Sequence, residues 1–137
     1  MTNDLEKEFL LIEENPENVE LFFSFLQKCG LEDKLIHAWN AEEVLNILLI
    51  EDISNLRLIV IGFNHSSSAQ VDLINEIRNN DILKFIPIVA LINSRAKDEV
   101  FKIKNVVIIE LVSKPLDFLK FKIIIALAGY TFDDLLE

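Results

Sequence analysis

Phe9-Leu10-Leu11-Ile12-Glu13-Glu14-Asn15-Pro16 runs from an apolar stretch through two acids into an Asn-Pro pair. The apolar run is too short for a typical helix and suits a strand covered on both faces. Asn15 reads as a helix N-cap, and Pro16 fits the first helical position, where its missing N–H costs nothing. Val19, Phe22, Phe23 and Leu26 then share one helical face, and Gly30 is the expected stop. A strand that passes directly into a helix is legible in this segment.

The same alternation continues along the chain. Short apolar runs recur at Leu35 to Trp39, Leu58 to Ile61, Ile86 to Ile92 and Val106 to Ile109. Most are rich in Ile and Val, as strands are. The run with His37 and Trp39 reads as an edge strand. Asn40 with Glu43 makes a start like a capping box, with Val44, Leu45 and Leu48 as the expected buried stripe. Leu73, Ile74 and Ile77 mark a third helix. Val100, Phe101 and Ile103 mark a fourth, with Ser94 as a candidate cap. Asp117 opens a fifth that runs to about Gly129. Strand and helix repeated five times imply right-handed crossovers and a doubly wound α/β parallel sheet, with function at the carboxyl ends of the strands.

Composition narrows the class. The 137 residues predict one domain, 1–137, with a core at about 8–129 and a short acidic tail at 130–137. Hydrophobic residues make up 51% and charged ones 26%, which excludes disorder. A net charge of −10 argues against nucleic acid and anionic membrane surfaces as partners. The lone Cys29 makes no internal disulfide and no zinc set, and is read as a partly buried small apolar residue. Met1 to Phe9 is acidic and lacks a signal-peptide core, and Ile123 to Phe132 falls well short of the ~18 residues of a membrane span. The expected setting is cytoplasmic.

Two strand ends then carry a resemblance. Glu13-Glu14 follows the first strand, and Ser113-Lys114-Pro115-Leu116-Asp117 follows the fifth. With the order of elements, this resembles the receiver domain of bacterial two-component response regulators over about residues 8 to 129. The resemblance implies a flavodoxin-like five-stranded sheet in the order 2-1-3-4-5. It also implies an acidic pair that helps bind Mg²⁺, an acceptor Asp after the third strand, a Ser or Thr after the fourth and a Lys before a Pro after the fifth.

Carried onto this chain, the match is partial. Glu13 and Glu14 stand at the acidic pair, and Lys114-Pro115 matches the Lys-Pro motif. Gly62 stands at the acceptor position, Ile92 at the hydroxyl position with Asn93 after it, and Leu111 at the aromatic switch position. His65-Ser66 replaces the usual Met-Pro. Aspartyl phosphorylation needs a carboxylate nucleophile and a divalent cation to neutralise developing charge. Gly62 supplies no carboxylate, and Ile92 donates no hydrogen bond. The expectation is a pseudo-receiver with no resident cofactor, in which Glu13 and Glu14 leave room for weak Mg²⁺ binding.

Plainer readings stand beside these. Glu13 and Glu14 also suit the positive end of the following helix. Lys114 is expected to pair with Glu13 or Glu14 as a remnant of the site. His65 with Ser66, Ser67 and Ser68 is read as loop and cap, not as a catalytic set. His37 with Trp39 is read as packing.

The last helix shows two apolar stripes. Phe118, Phe121, Ile125 and Ala128 can face the sheet, while Leu119, Ile123 and Leu127 line another face. A surface helix normally has one such stripe. The second is a candidate interface for a protein partner or homodimer, on the face from the fourth strand to the fifth helix that receivers commonly use. The alternative is that the tail from Tyr130 to Glu137 folds over it.

The sequence therefore predicts a non-enzymatic, single-domain response-regulator-like protein of phosphorelay signalling that acts by protein contact, with no length left for an output domain. The alternatives are a flavodoxin-like cofactor binder, disfavoured by acids where a phosphate loop would lie, and a receiver phosphorylated elsewhere, for instance on Asp72.

Overall fold

The computed structural model describes residues 6–63, 68–92, 108–114 and 116–131. Five strands, β1 (Phe9–Ile12), β2 (Leu35–Ala38), β3 (Leu58–Phe63), β4 (Ile88–Ile92) and β5 (Ile108–Ser113), form one sheet in the order β2-β1-β3-β4-β5. Every pairing is parallel. The described α-helices are α1 (Pro16–Lys28), α2 (Ala41–Ile50), α3 (Ser68–Asn79) and α4 (Phe118–Ala126). The sheet order and the edge position of β2 match the expectation. The expected helix around Val100 to Ile103, with its cap Ser94, lies outside the described residues.

Side chains alternate across the sheet, so each strand feeds two cores. Leu10, Ile12, Ile59, Ile61 and Phe63 pack with Val44 of α2 and Leu73, Ile74 and Ile77 of α3. Phe9, Leu11, Leu58 and Val60 pack with Phe22, Phe25 and Leu26 of α1 and Phe121, Ile124 and Ile125 of α4. Burial on both faces is why the central strands are continuous apolar runs.

Local signals set the helix ends. Asn15 accepts from the Glu17 N–H, and Pro16 opens α1. Gly30 adopts φ +72°, which a side chain would resist, and lets the Gly30 and Leu31 N–H groups reach the Gln27 and Leu26 carbonyls. Asn40 accepts from the Glu43 N–H, while the Glu43 carboxylate reaches back to the Trp39 N–H, one residue before the cap. Asp117 accepts from the Lys120 N–H at the start of α4.

Three details differ from the sequence reading. Leu45 is exposed, not buried; α2 contributes Val44 fully and Ile47 and Leu48 in part. In α1 Phe25 is buried and Phe23 is exposed, because Phe22, Phe25 and Leu26 make the i, i+3, i+4 face toward the sheet. In α4 Ile124 joins Phe121, Ile125 and Ala128 in the core, and Phe118 is only partly buried.

The chain leaves α4 toward the amino ends of the strands. Tyr130 stacks on Phe9 with ring centroids 5.9 Å apart, and its hydroxyl donates to the buried Glu8 carboxylate. Lys34 (3.4 Å) and Arg57 (3.6 Å) flank the same carboxylate. Residues 132–137 of the expected tail lie outside the described set. No described helix is long and apolar enough to cross a membrane.

Candidate functional site at the carboxyl ends of the strands

The parallel register places Glu13, just past β1, beside Gly62 in β3, because Ile12 pairs with Ile61. Backbone contacts hold Glu13 in place: its N–H donates to the Ala38 carbonyl (3.1 Å), and His37 Nε2–H donates to its own carbonyl (2.9 Å). The side chain turns inward and is almost wholly buried. Its Oε1 accepts from Lys114 Nζ at 3.1 Å and Asn18 Nδ2 at 3.2 Å, and its Oε2 from the Asn15 N–H at 3.1 Å. A buried carboxylate with a cation and further donors has the partners it needs to offset lost hydration.

Gly62 makes this arrangement possible. A Cβ on residue 62 would overlap Glu13 Oε1 and lie 2.7 Å from Cδ and 3.0 Å from Oε2. The Glu13 carboxylate therefore occupies the space in which a side chain at 62 would begin. Lys114 comes from the end of the edge strand β5: its backbone N–H donates to the Ile92 carbonyl at 2.7 Å, and its side chain is 12% exposed beside Glu13.

The other sequence-singled residues divide as follows. Lys114 pairs with Glu13 at 3.1 Å, one of the two partners expected, and Glu14 is exposed on the loop before α1. Ile92 is buried at the end of β4, and Leu111 lies in β5 opposite Ala90. Pro115, Asn93 and residues 64–67, with His65, Ser66 and Ser67, lie outside the described residues. Leu119, Ile123 and Leu127 are exposed on α4, at 64%, 47% and 37%. His37 does pack edge-on to Trp39 at 4.3 Å, and it also grips the Glu13 carbonyl.

Asn18 and His37 are the contributors that sequence reasoning missed. Asn18 carried a usable signal, since Asn15 and Asn18 are spaced to lie on one side of the first turn. His37 carried none, because its partner is 24 residues away.

These donors do not fit a divalent cation. Magnesium wants hard oxygen ligands in octahedral array. Here one oxygen of Glu13 already faces an ammonium, and Gly62 adds no carboxylate. Among the described residues, no three His, Cys, Asp or Glu side chains gather as metal ligands.

No family model matches the chain, and no curated protein matches it. Solved structures do. A bacteriophytochrome response regulator superposes with a TM-score of 0.71 at 23% identity, over 92% of this chain and 94% of its own. A two-component response regulator from Legionella pneumophila gives 0.77 at 16%, over 90% and 98%. The receiver domain of a sensor histidine kinase from Pseudomonas aeruginosa, which holds a magnesium ion in its active site cleft, gives 0.72 at 17%, over 91% and 99%. The chain has the fold of response regulator receiver domains.

Proposed function

We propose that the chain is a cytoplasmic, non-enzymatic signalling protein of the pseudo-receiver kind, a single receiver-like unit that acts through protein–protein contact in a phosphorelay setting. The observation that carries this reading is the Glu13 carboxylate lying across Gly62 and ion-paired to Lys114. The acceptor position has no nucleophile, and the cation that would meet a phosphoryl group already has an internal carboxylate. Glu13 itself is a poor substitute nucleophile, being buried and engaged by several donors.

The apolar stripe Leu119, Ile123 and Leu127 on α4 supports the contact mode, because exposed apolar rows on a helix mark association surfaces. Neither alternative gains an observation in its favour. A flavin phosphate would meet the acidic loop after β1, and Asp72 sits on the exposed side of α3, away from the strand ends.

The test is an amide NMR titration with Mg²⁺, followed by beryllofluoride as a phosphoryl mimic. The expected result is no shift at Glu13, Gly62 and Lys114 with either. Tight beryllofluoride binding that moves β4 through α4 would overturn the reading, since another carboxylate would then be the acceptor. Shifts with Mg²⁺ alone would refute the self-satisfied site.

A further inference from the structure

The opposite side of the sheet carries a second unassigned surface. On α2, Leu45 and Leu49 are 51% and 86% exposed, and Glu42, Leu45 and Leu49 follow one another at i, i+3, i+7 along a single stripe. Leu45 and Leu48 form one wall of a groove whose floor is Leu73, Ile77 and Leu83. The facing wall is polar: Glu76 and Asn80 line it, and Asp72 continues the same row one turn earlier on α3. The turn that closes the groove, residues 80–86, carries the exposed Ile82 and Phe85.

The groove has one apolar wall and one polar wall, whose lining acid Glu76 is continued by Asp72 outside the lining, and the nearby bases Arg78 and Lys84 are engaged. α2 contains no Lys or Arg. The Arg78 guanidinium turns inward and donates to the Lys84 and Ile86 carbonyls at 2.9 and 3.2 Å, and Lys84 pairs with Asp81 at 3.5 Å. A second copy of this chain would bring another acidic row against Asp72 and Glu76, at a net charge of −10 per chain. Charge complementarity selects a basic occupant instead.

We propose that the α2–α3 groove docks an amphipathic helix of a partner protein, its apolar stripe on Leu45 of the groove wall and on Leu49, exposed one turn further along α2 outside the lining, and its Lys or Arg edge along Asp72 and Glu76. Helix-in-groove recognition works through apolar anchors at i, i+3, i+4 and i+7, which Leu45 and Leu49 are spaced to receive. The acidic wall adds orientation and speeds encounter. This site is independent of the α4 stripe, which lies on the other face of the sheet.

The experiment uses the full chain and two synthetic helical peptides of about 14 residues with the same Leu stripe, one flanked by Lys and one by Glu. Amide NMR follows the wild type, Leu49→Ser and Glu76→Lys. Both substituted residues are exposed, and circular dichroism checks that the variants remain folded. The Leu/Lys peptide is expected to shift amides of α2 and α3, with affinity falling at least about tenfold in each variant. Shifts spread over the whole acidic surface, or centred on α4, would overturn the proposal. So would equal binding of the Leu/Glu peptide, or unchanged affinity in Leu49→Ser. Concentration-dependent dimerisation abolished by Leu49→Ser would also overturn it, because the occupant would then be a second copy.

Discussion

The carboxylate of Glu13 fills the space that a side chain on Gly62 would enter, so the identities of these two residues are coupled across neighbouring strands. The glycine at 62 is required by close approach, not by its dihedral angles, since among the described residues positive φ is confined to Gly30 and Gly129. A Cβ at position 62 requires the Glu13 carboxylate to shift from the place where it meets Lys114 and Asn18.

Gly62→Ala is therefore expected to lower stability by about 2 kcal/mol, from the displaced buried carboxylate and its lost hydrogen bonds. In a Glu13→Ala background the same substitution should cost at least about 1 kcal/mol less, a coupling that urea denaturation of the four proteins in the cycle measures. Additive costs would mean that Glu13 does not hold that space.

Lys114→Met leaves the buried Glu13 carboxylate without its cation. Breaking a buried pair from one side costs about 3–5 kcal/mol, of which the 12% exposure of the Lys114 side chain favours the lower end. Adding Glu13→Gln removes the uncompensated charge and should recover part of the loss. Denaturant midpoints at constant m-value read both effects, and a stable Lys114→Met protein would contradict the ion pair.

Adjacent isoleucines on α4 separate surface from core. Ile123→Lys, at a position 47% exposed, should change stability by no more than about 0.5 kcal/mol. Ile124→Ala, at a fully buried position, should cost about 2–4 kcal/mol. Thermal unfolding of the two variants tests the facing of the helix, and the reverse order would place the apolar stripe on the sheet instead.

The Cys29 thiol has a pKa above its ordinary value, because burial disfavours the thiolate and only partly yields to the nearby Lys122 charge. Its reaction with an aromatic disulfide reagent at pH 8 should thus be slower than that of free cysteine. Lys122→Ala should slow it further. The sign for stability follows: the unfolded thiol ionises first as pH rises, so the contribution present below the unfolded value is lost through the higher folded one. A Cys29→Ala protein should lack that alkaline component in pH-dependent unfolding.

Much of this protein was determined by its sequence alone. The runs Phe9 to Ile12 and Leu58 to Ile61 announced strands buried on both faces, and Asn15-Pro16, Gly30, Asn40 with Glu43, and Asp117 announced helix ends. These features rest on interactions within a few residues, which neighbouring chemistry dictates. The order of the strands was legible because the pattern of elements resembled a known family.

Tertiary structure decided the rest. Glu13 and Glu14 are adjacent and chemically alike, yet one is buried and the other exposed. That choice depends on Lys114, 101 residues away, and on the absence of a side chain at Gly62. The same holds in Ile123-Ile124-Ile125, where the sheet selects the second and third and leaves the first in solvent. Leu45 was assigned to the core by its spacing, but it lies on the wall of the groove beside α3. Periodicity defines a stripe along a helix, whereas which side of that stripe meets the core is set by long-range packing that no local pattern encodes.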